Sequence, residues 1–191
     1  MEMVNKNMIS LSKKNNKVRL GKFQTLILYF FLFAVLGWIM ETVFALCTLG
    51  HFVKRGFLYG PLCPIYGYGA LMLILFFRKY KKNNIKLFFY AAIIFSGFEY
   101  FVSYILEALF SMHWWDYTNE FLNLNGRIGI FYSVAWGIIA LLFINYIFPF
   151  VKKKCNKLLS KIPYIVQASI IYILSTIFIV DTMASCIRYL G

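Results

Sequence analysis

Uninterrupted apolar runs constrain this chain more than any motif in it. Phe23–Leu49 carries one ionisable residue, Glu41, and Ile128–Phe150 carries no Asp, Glu, Lys or Arg. Leu87–Phe110 and Tyr164–Leu190 are as long, and Pro61–Phe77 is a shorter run of the same kind. About 20 apolar residues in a helix cross the hydrocarbon core of a bilayer. With 61% hydrophobic and only 14% charged residues, the chain lies far from the balance of soluble domains. The expectation is an all-α, polytopic membrane bundle in the cell membrane, with spans near 23–49, 61–77, 87–110, 128–150 and 164–190. The spans form one domain behind a basic arm, Met1–Lys22. The second span is only just long enough, and Pro64 marks where it would break.

The charges orient the spans. Of 20 Lys and Arg, sixteen fall in Met1–Lys22, Arg78–Lys86 and Lys152–Lys161. Lys54, Arg55, Arg127 and Arg188 are the other four. Positive charge marks the cytoplasmic side, so five spans put the N-terminus inside and the C-terminus outside. The same interspersed blocks argue against nucleic acid as the partner of a chain with formal charge +13. Membrane lipids and further copies of the chain are the expected neighbours. Four cysteines without CxxC or a paired His give no zinc or redox site, and no cofactor or metal motif is present.

Four of the seven acidic residues lie inside spans: Glu41, Glu99, Glu107 and Asp181. With the orientation above, Glu41 lies about 12 Å and Asp181 about 14 Å from the outer ends of their helices, with Glu99 at a similar depth. Glu107 is nearer the outer boundary. Each shares a helix face with small or polar residues: Ala34, Gly37, Glu41 and Ala45; Ser96, Glu99, Ser103 and Glu107; Asp181 and Ser185. Small residues mark close helix contact, and charged ones avoid lipid. Two readings follow. Either the carboxylates fix packing by pairing with Arg55 or Arg188, or they line an outward-facing polar cavity, with Glu41 and Glu99 facing each other.

The outer loops are the expected roof. RGFLYGPLCPIYGYGA (Arg55–Ala70) concentrates Gly and Pro, which permit unusual backbone and interrupt helices. SMHWWDYTNEFLNLNGR (Ser111–Arg127) is polar and aromatic and offers Asp116, Asn123, Asn125 and Arg127. Trp114 and Trp115 suit the membrane interface, and His113 reads as interfacial. Tyr66, Tyr68, Tyr100 and Trp136 are candidate lining residues.

These stretches carry a resemblance. GWIMETVF (Gly37–Phe44), VKRGFLYGPLCPIYGYGA (Val53–Ala70), EYFVSYILEALF (Glu99–Phe110) and WWDYTNEFLNLNGRI (Trp114–Ile128), with Ser133, Trp136 and Gly137, resemble the ABC-transporter type IV permeases, also called CmpB-like. The resemblance covers roughly Phe31–Phe148, and the last span and the basic arm lie outside its strongest part. It implies a transport permease of a bacterial inner membrane. The chain has no GxxxxGK[ST] phosphate loop, so the resemblance implies an ATPase subunit in trans. The inner loops show no amphipathic docking helix in the sequence.

The leading functional reading is a permease subunit for a small polar or charged solute, and not itself an enzyme. Its candidate binding residues are Glu41, Arg55, Glu99, Glu107, Asp116, Asn123, Asn125, Arg127 and Asp181. The alternatives are an intramembrane enzyme using paired carboxylates on a lipid-type substrate, and a small membrane scaffold or regulator.

Overall fold

A computed structural model describes residues 20–190. The described residues are helical apart from loops and one isolated antiparallel bridge, Leu124 to Ile128. The helices are α1 (Lys22–Leu49), α2 (Pro64–Met72), α3 (Asn84–Phe110), α4 (Ile130–Leu142), α5 (Phe148–Leu159) and α6 (Tyr164–Leu190). Among the described residues, four helices are long and apolar enough to cross a membrane: Lys22–Leu49, Asn84–Phe110, Ile130–Leu159 and Tyr164–Leu190. The basic arm lies outside the described residues up to Arg19, and α1 begins at Lys22.

The chain divides into two compact units. One holds the chain up to Leu71 together with Val151–Ser185, and the other holds Met72–Phe150 together with the chain from Cys186 on.

In the first unit, α1 opens at Gly21, whose N–H donates to Gln24 Oε1 at 3.0 Å. It closes at Gly50, which takes the left-handed conformation (φ 74°) that glycine adopts without steric cost. The chain then descends along α1 without a helix, until Cys63 N–H donates to the Ala34 carbonyl at 3.1 Å. Ala34 lies fifteen residues before Leu49, so α2 starts about 22 Å below the end of α1. From there α2 runs antiparallel to α1 in close contact. A Cβ on Gly67 would stand 2.6 Å from Phe30 Cδ2, and one on Gly37 would overlap the Tyr66 ring. Phe30 in turn packs edge-on to Phe31 and Phe178, with ring centroids at 5.3 and 5.2 Å.

The segment 61–77 is broken at Pro64, where the sequence marked a break. It is an extended descent, the nine-residue α2, a five-residue π-helical turn (Leu73–Phe77) and a three-residue 3-10 turn (Arg78–Tyr80). Pro61 and Pro64, with Gly56 at φ 88°, account for the late start.

In the second unit, Asn83 caps α3 by accepting from the Lys86 N–H at 3.0 Å. Helices α3 and α4 run antiparallel. A Cβ on Gly137 would stand 2.6 Å from Phe88 Cδ2, Ser96 and Ser133 hydroxyls bond at 2.6 Å, and Phe95 stacks on Trp136 at 5.5 Å.

The fourth span corrects the sequence reading. The sequence placed its end near Phe150, just after Pro149. The helix instead passes through Pro149 to Leu159. A proline ring collides with the carbonyl four residues back, here Asn145. That carbonyl lies inside a second π-helical turn, Phe143–Ile147, where Phe148 N–H reaches back five residues to the Phe143 carbonyl. The widened turn makes room for the ring. The basic segment after Phe150 consequently does carry an amphipathic helix, α5.

Candidate functional site

The polar side chains fall into two sets, one in each unit. In the second unit the centre is Glu99. It is buried in α3 (6% exposed) together with Ser96 and Ser103, so the small-residue stripe read from the sequence is a true packing face. Glu99 Oε2 accepts from Trp136 Nε1 at 2.8 Å, and Oε1 accepts from the Tyr117 hydroxyl at 3.0 Å. Both carboxylate oxygens are thus held by neutral donors, one from α4 and one from the loop. Tyr117 stacks on Tyr132 of α4 with centroids 4.0 Å apart, which fixes the hydroxyl over Glu99.

The Ser111–Gly129 loop is folded on itself. Asp116 Oδ1 accepts from the Thr118 N–H at 2.9 Å and from the Thr118 hydroxyl. These bonds, the hydroxyl first and then the backbone, hold the exposed Asp116 carboxyl below its ordinary value of 3.8. Asn123 accepts from the Gly126 N–H at 3.0 Å and donates to the Thr118 and Glu120 carbonyls at 2.9 and 3.0 Å. Tyr117 N–H donates to the Gly126 carbonyl at 2.7 Å. Gly126 has φ 65°, and a Cβ there would press on Asp116 and Thr118. Asp116 and Asn123 thereby shape the loop, while Asn125 reaches α3, donating to the Tyr100 hydroxyl at 2.9 Å.

Arg127 latches this loop to α3. Its guanidinium pairs with Glu107, donates to Ser103 Oγ at 3.2 Å, and lies 5.7 and 5.5 Å from the ring centres of Tyr100 and Tyr104. Trp115 Nε1 donates to the Arg127 carbonyl at 3.1 Å. The carboxylate that Arg127 meets, Glu107, belongs to α3, whereas the sequence offered Arg55 or Arg188 as the pairing cations. His113, read as merely interfacial, stands with Nε2 3.4 Å from the same carboxylate.

In the first unit Asp181 of α6 satisfies the descending loop. Its two oxygens accept from the Tyr59 and Gly60 N–H groups, each at 2.8 Å, and Oδ1 also accepts from Ser185 Oγ at 3.2 Å. Asp181 thus supplies the acceptors for two loop amides that no helix pairs. Glu41 accepts from the Tyr66 hydroxyl. Arg55 is half-buried, and its Nε has no hydrogen-bond partner among the described residues. Glu41 and Glu99 thus belong to different units, each with partners of its own.

Sequence reasoning missed Tyr117 as the second donor to Glu99. Nothing in WWDYTNE signals which side chain turns inward. The proximity of Ser96 and Glu99 to Ser133 and Trp136 was foreshadowed by their matching i, i+3 spacing on two helices.

Four helices long and apolar enough to cross a membrane, an interrupted further helical segment and one buried carboxylate, Glu99, describe a helical membrane protein. Within that class the chain belongs to the family described as "Putative ABC-transporter type IV", whose profile matches residues 28–186. The match takes in most of α6, beyond the Phe31–Phe148 stretch that carried the resemblance. No curated protein and no solved structure gives a significant match.

Proposed function

We propose that this chain is a permease subunit of an ABC-type transporter in the cell membrane, moving a small polar or charged solute. In this reading the chain crosses five times, with the descending loop and α2 making the second crossing. The N-terminus lies inside and the C-terminus outside. The Lys/Arg distribution and the family support this arrangement, and the missing phosphate loop assigns ATP hydrolysis to a partner subunit.

The observation that carries the reading is Glu99. A charged group at mid-span costs roughly 2.5–3.5 kcal/mol on insertion scales, and here two neutral donors hold it, with no cation (among the described residues) spent on its charge. A carboxylate so held is available to a cationic or hydrogen-bonding solute. Glu107, Arg127 and Asn125 stand on the same α3–loop surface as further contacts. Asp181 and Glu41 admit a second reading, because each has a structural partner in its own unit, two backbone amides for Asp181 and Tyr66 for Glu41.

Affinity purification of the tagged chain from its native membrane tests the assignment. An ATPase with a phosphate loop should co-purify, and vesicles holding both proteins should hydrolyse ATP in a solute-dependent manner. A pure, stable chain that never brings an ATPase with it would overturn the ABC reading.

A further inference from the structure

No Asp or Glu occurs between Glu120 and Asp181, yet this stretch holds Lys152, Lys153, Lys154, Lys157 and Lys161. Four of these, all but Lys152, are exposed. Lys153 and Lys157 stand one turn apart on α5 and so share a face. This stretch of sequence thus carries a net positive charge.

Depth says what meets it. Ile130–Leu159 forms a 30-residue apolar helix, about 45 Å long. The hydrocarbon core is only about 30 Å thick and the whole bilayer about 40–45 Å. Counted from Ile130, Lys152 is reached after about 33 Å and Lys157 after about 40 Å. With Ile130 at the opposite edge of the hydrocarbon core, these lysines reach the level of the headgroups. Phe150 and Leu158, each 61% exposed, sit among them on the same helix, as on helices that rest in the interface.

The connection from α5 to α6 also does not project further. Gln167, buried in α6, donates through Nε2 to the Leu159 and Ile162 carbonyls at 2.8 and 2.7 Å. Ser160 Oγ donates to the Lys157 carbonyl at 2.9 Å. The connection to α6 is thus a pinned turn, with no arm reaching toward a partner beyond the membrane.

We propose that α5 and its turn bind the phosphates of acidic phospholipid headgroups. Lysine ammonium groups suit this task as compact point charges on flexible stems, and the stems reach along apolar surface to keep the charge at the interface. The inference is independent of the solute and of the ATPase.

The test reconstitutes the full chain in equal parts phosphatidylglycerol and phosphatidylcholine, extracts it gently and identifies retained lipids by native mass spectrometry. The unaltered chain should retain phosphatidylglycerol in excess. K153Q/K157Q should lose that excess by about fivefold for each lysine removed. K81Q/K82Q removes equal charge outside this segment and should keep it. Equal retention of the two lipids by the unaltered chain overturns the proposal, as does equal loss in both double variants, which would mean bulk charge alone. A partner protein on α5 would appear as lipid-independent retention of that protein and no phosphatidylglycerol excess.

Discussion

Trp136 Nε1 donates to Glu99 Oε2 over 2.8 Å, and the Trp136 ring stacks on Phe95 one turn below. The indole thus both anchors the carboxylate and packs the α3–α4 interface. The two duties separate on mutation. Trp136→Phe keeps a ring against Phe95 but leaves a buried carboxylate oxygen without its donor, at a cost of about 1–3 kcal/mol. Glu99→Gln keeps an acceptor for Trp136 and an amide for the Tyr117 oxygen, so stability should change by less than about 1 kcal/mol. Thermal unfolding should rank Trp136→Phe well below Glu99→Gln, while transport should be lost in Glu99→Gln. A fully active Glu99→Gln chain would remove Glu99 from the solute path.

Arg127 should control whether the Ser111–Gly129 loop is closed. Arg127→Gln removes a charge-assisted pair, with an expected loss of about 1–3 kcal/mol in loop protection. Arg127→Lys should restore little, because a lysine cannot serve Glu107 and Ser103 in the same fork. Amide hydrogen exchange over the loop measures both.

The α1–α2 contact tolerates no side chain at Gly67. Gly67→Ala would press a methyl group on Phe30, including its carbonyl oxygen at 2.8 Å, and should cost about 1–3 kcal/mol. Gly97 of α3 has open space around its Cβ position, so Gly97→Ala should be neutral or stabilise by up to about 1 kcal/mol. The melting temperature should fall in Gly67→Ala and hold or rise in Gly97→Ala.

Asp116 gives the loop an acid limit. Its folded-state pKa is held below 3.8 by Thr118, so its contribution is fully present above that value and fades as pH falls through the lower, folded one. Fluorescence of Trp115 should be flat from neutral pH to about 4 and change only below it. The Asp116→Asn chain should lack that acidic transition.

Labelling resolves the crossing made by the descending loop and α2. With five crossings, a cysteine replacing Phe52 reacts from outside and one replacing Asn83 from inside. Reaction of both from one side would make the α2 segment re-entrant and reverse every later helix.

The helical membrane class and the buried faces of α1 and α3 were legible, because lipid leaves the chain few ways to hide a peptide bond and small residues at i, i+3, i+4 mark contact. The Arg127–Glu107 pair was legible as a need, since a span carboxylate seeks a cation. Local rules failed where they met distant geometry. Pro149 reads as a helix stop, but the π-helical turn behind it absorbs the clash. His113 and Tyr117 gained their partners only through the folding of a loop whose φ values at Leu122, Asn125 and Gly126 are all positive. Two of those are not glycine, so their conformation has no plain signature in the residues themselves.

The grip of Asp181 on the descending loop has a consequence for the order of biosynthesis. Tyr59 and Gly60 precede their acceptor by 122 and 121 residues. At about 5–20 residues per second, the ribosome delivers Asp181 some 6–24 s after the loop. For that interval two amides sit beside α1 without the carboxylate that later receives them. The loop after α1 thus reaches its final form only when the last helix arrives, and protease resistance at Tyr59 should appear in a nascent chain only after Asp181 has been made.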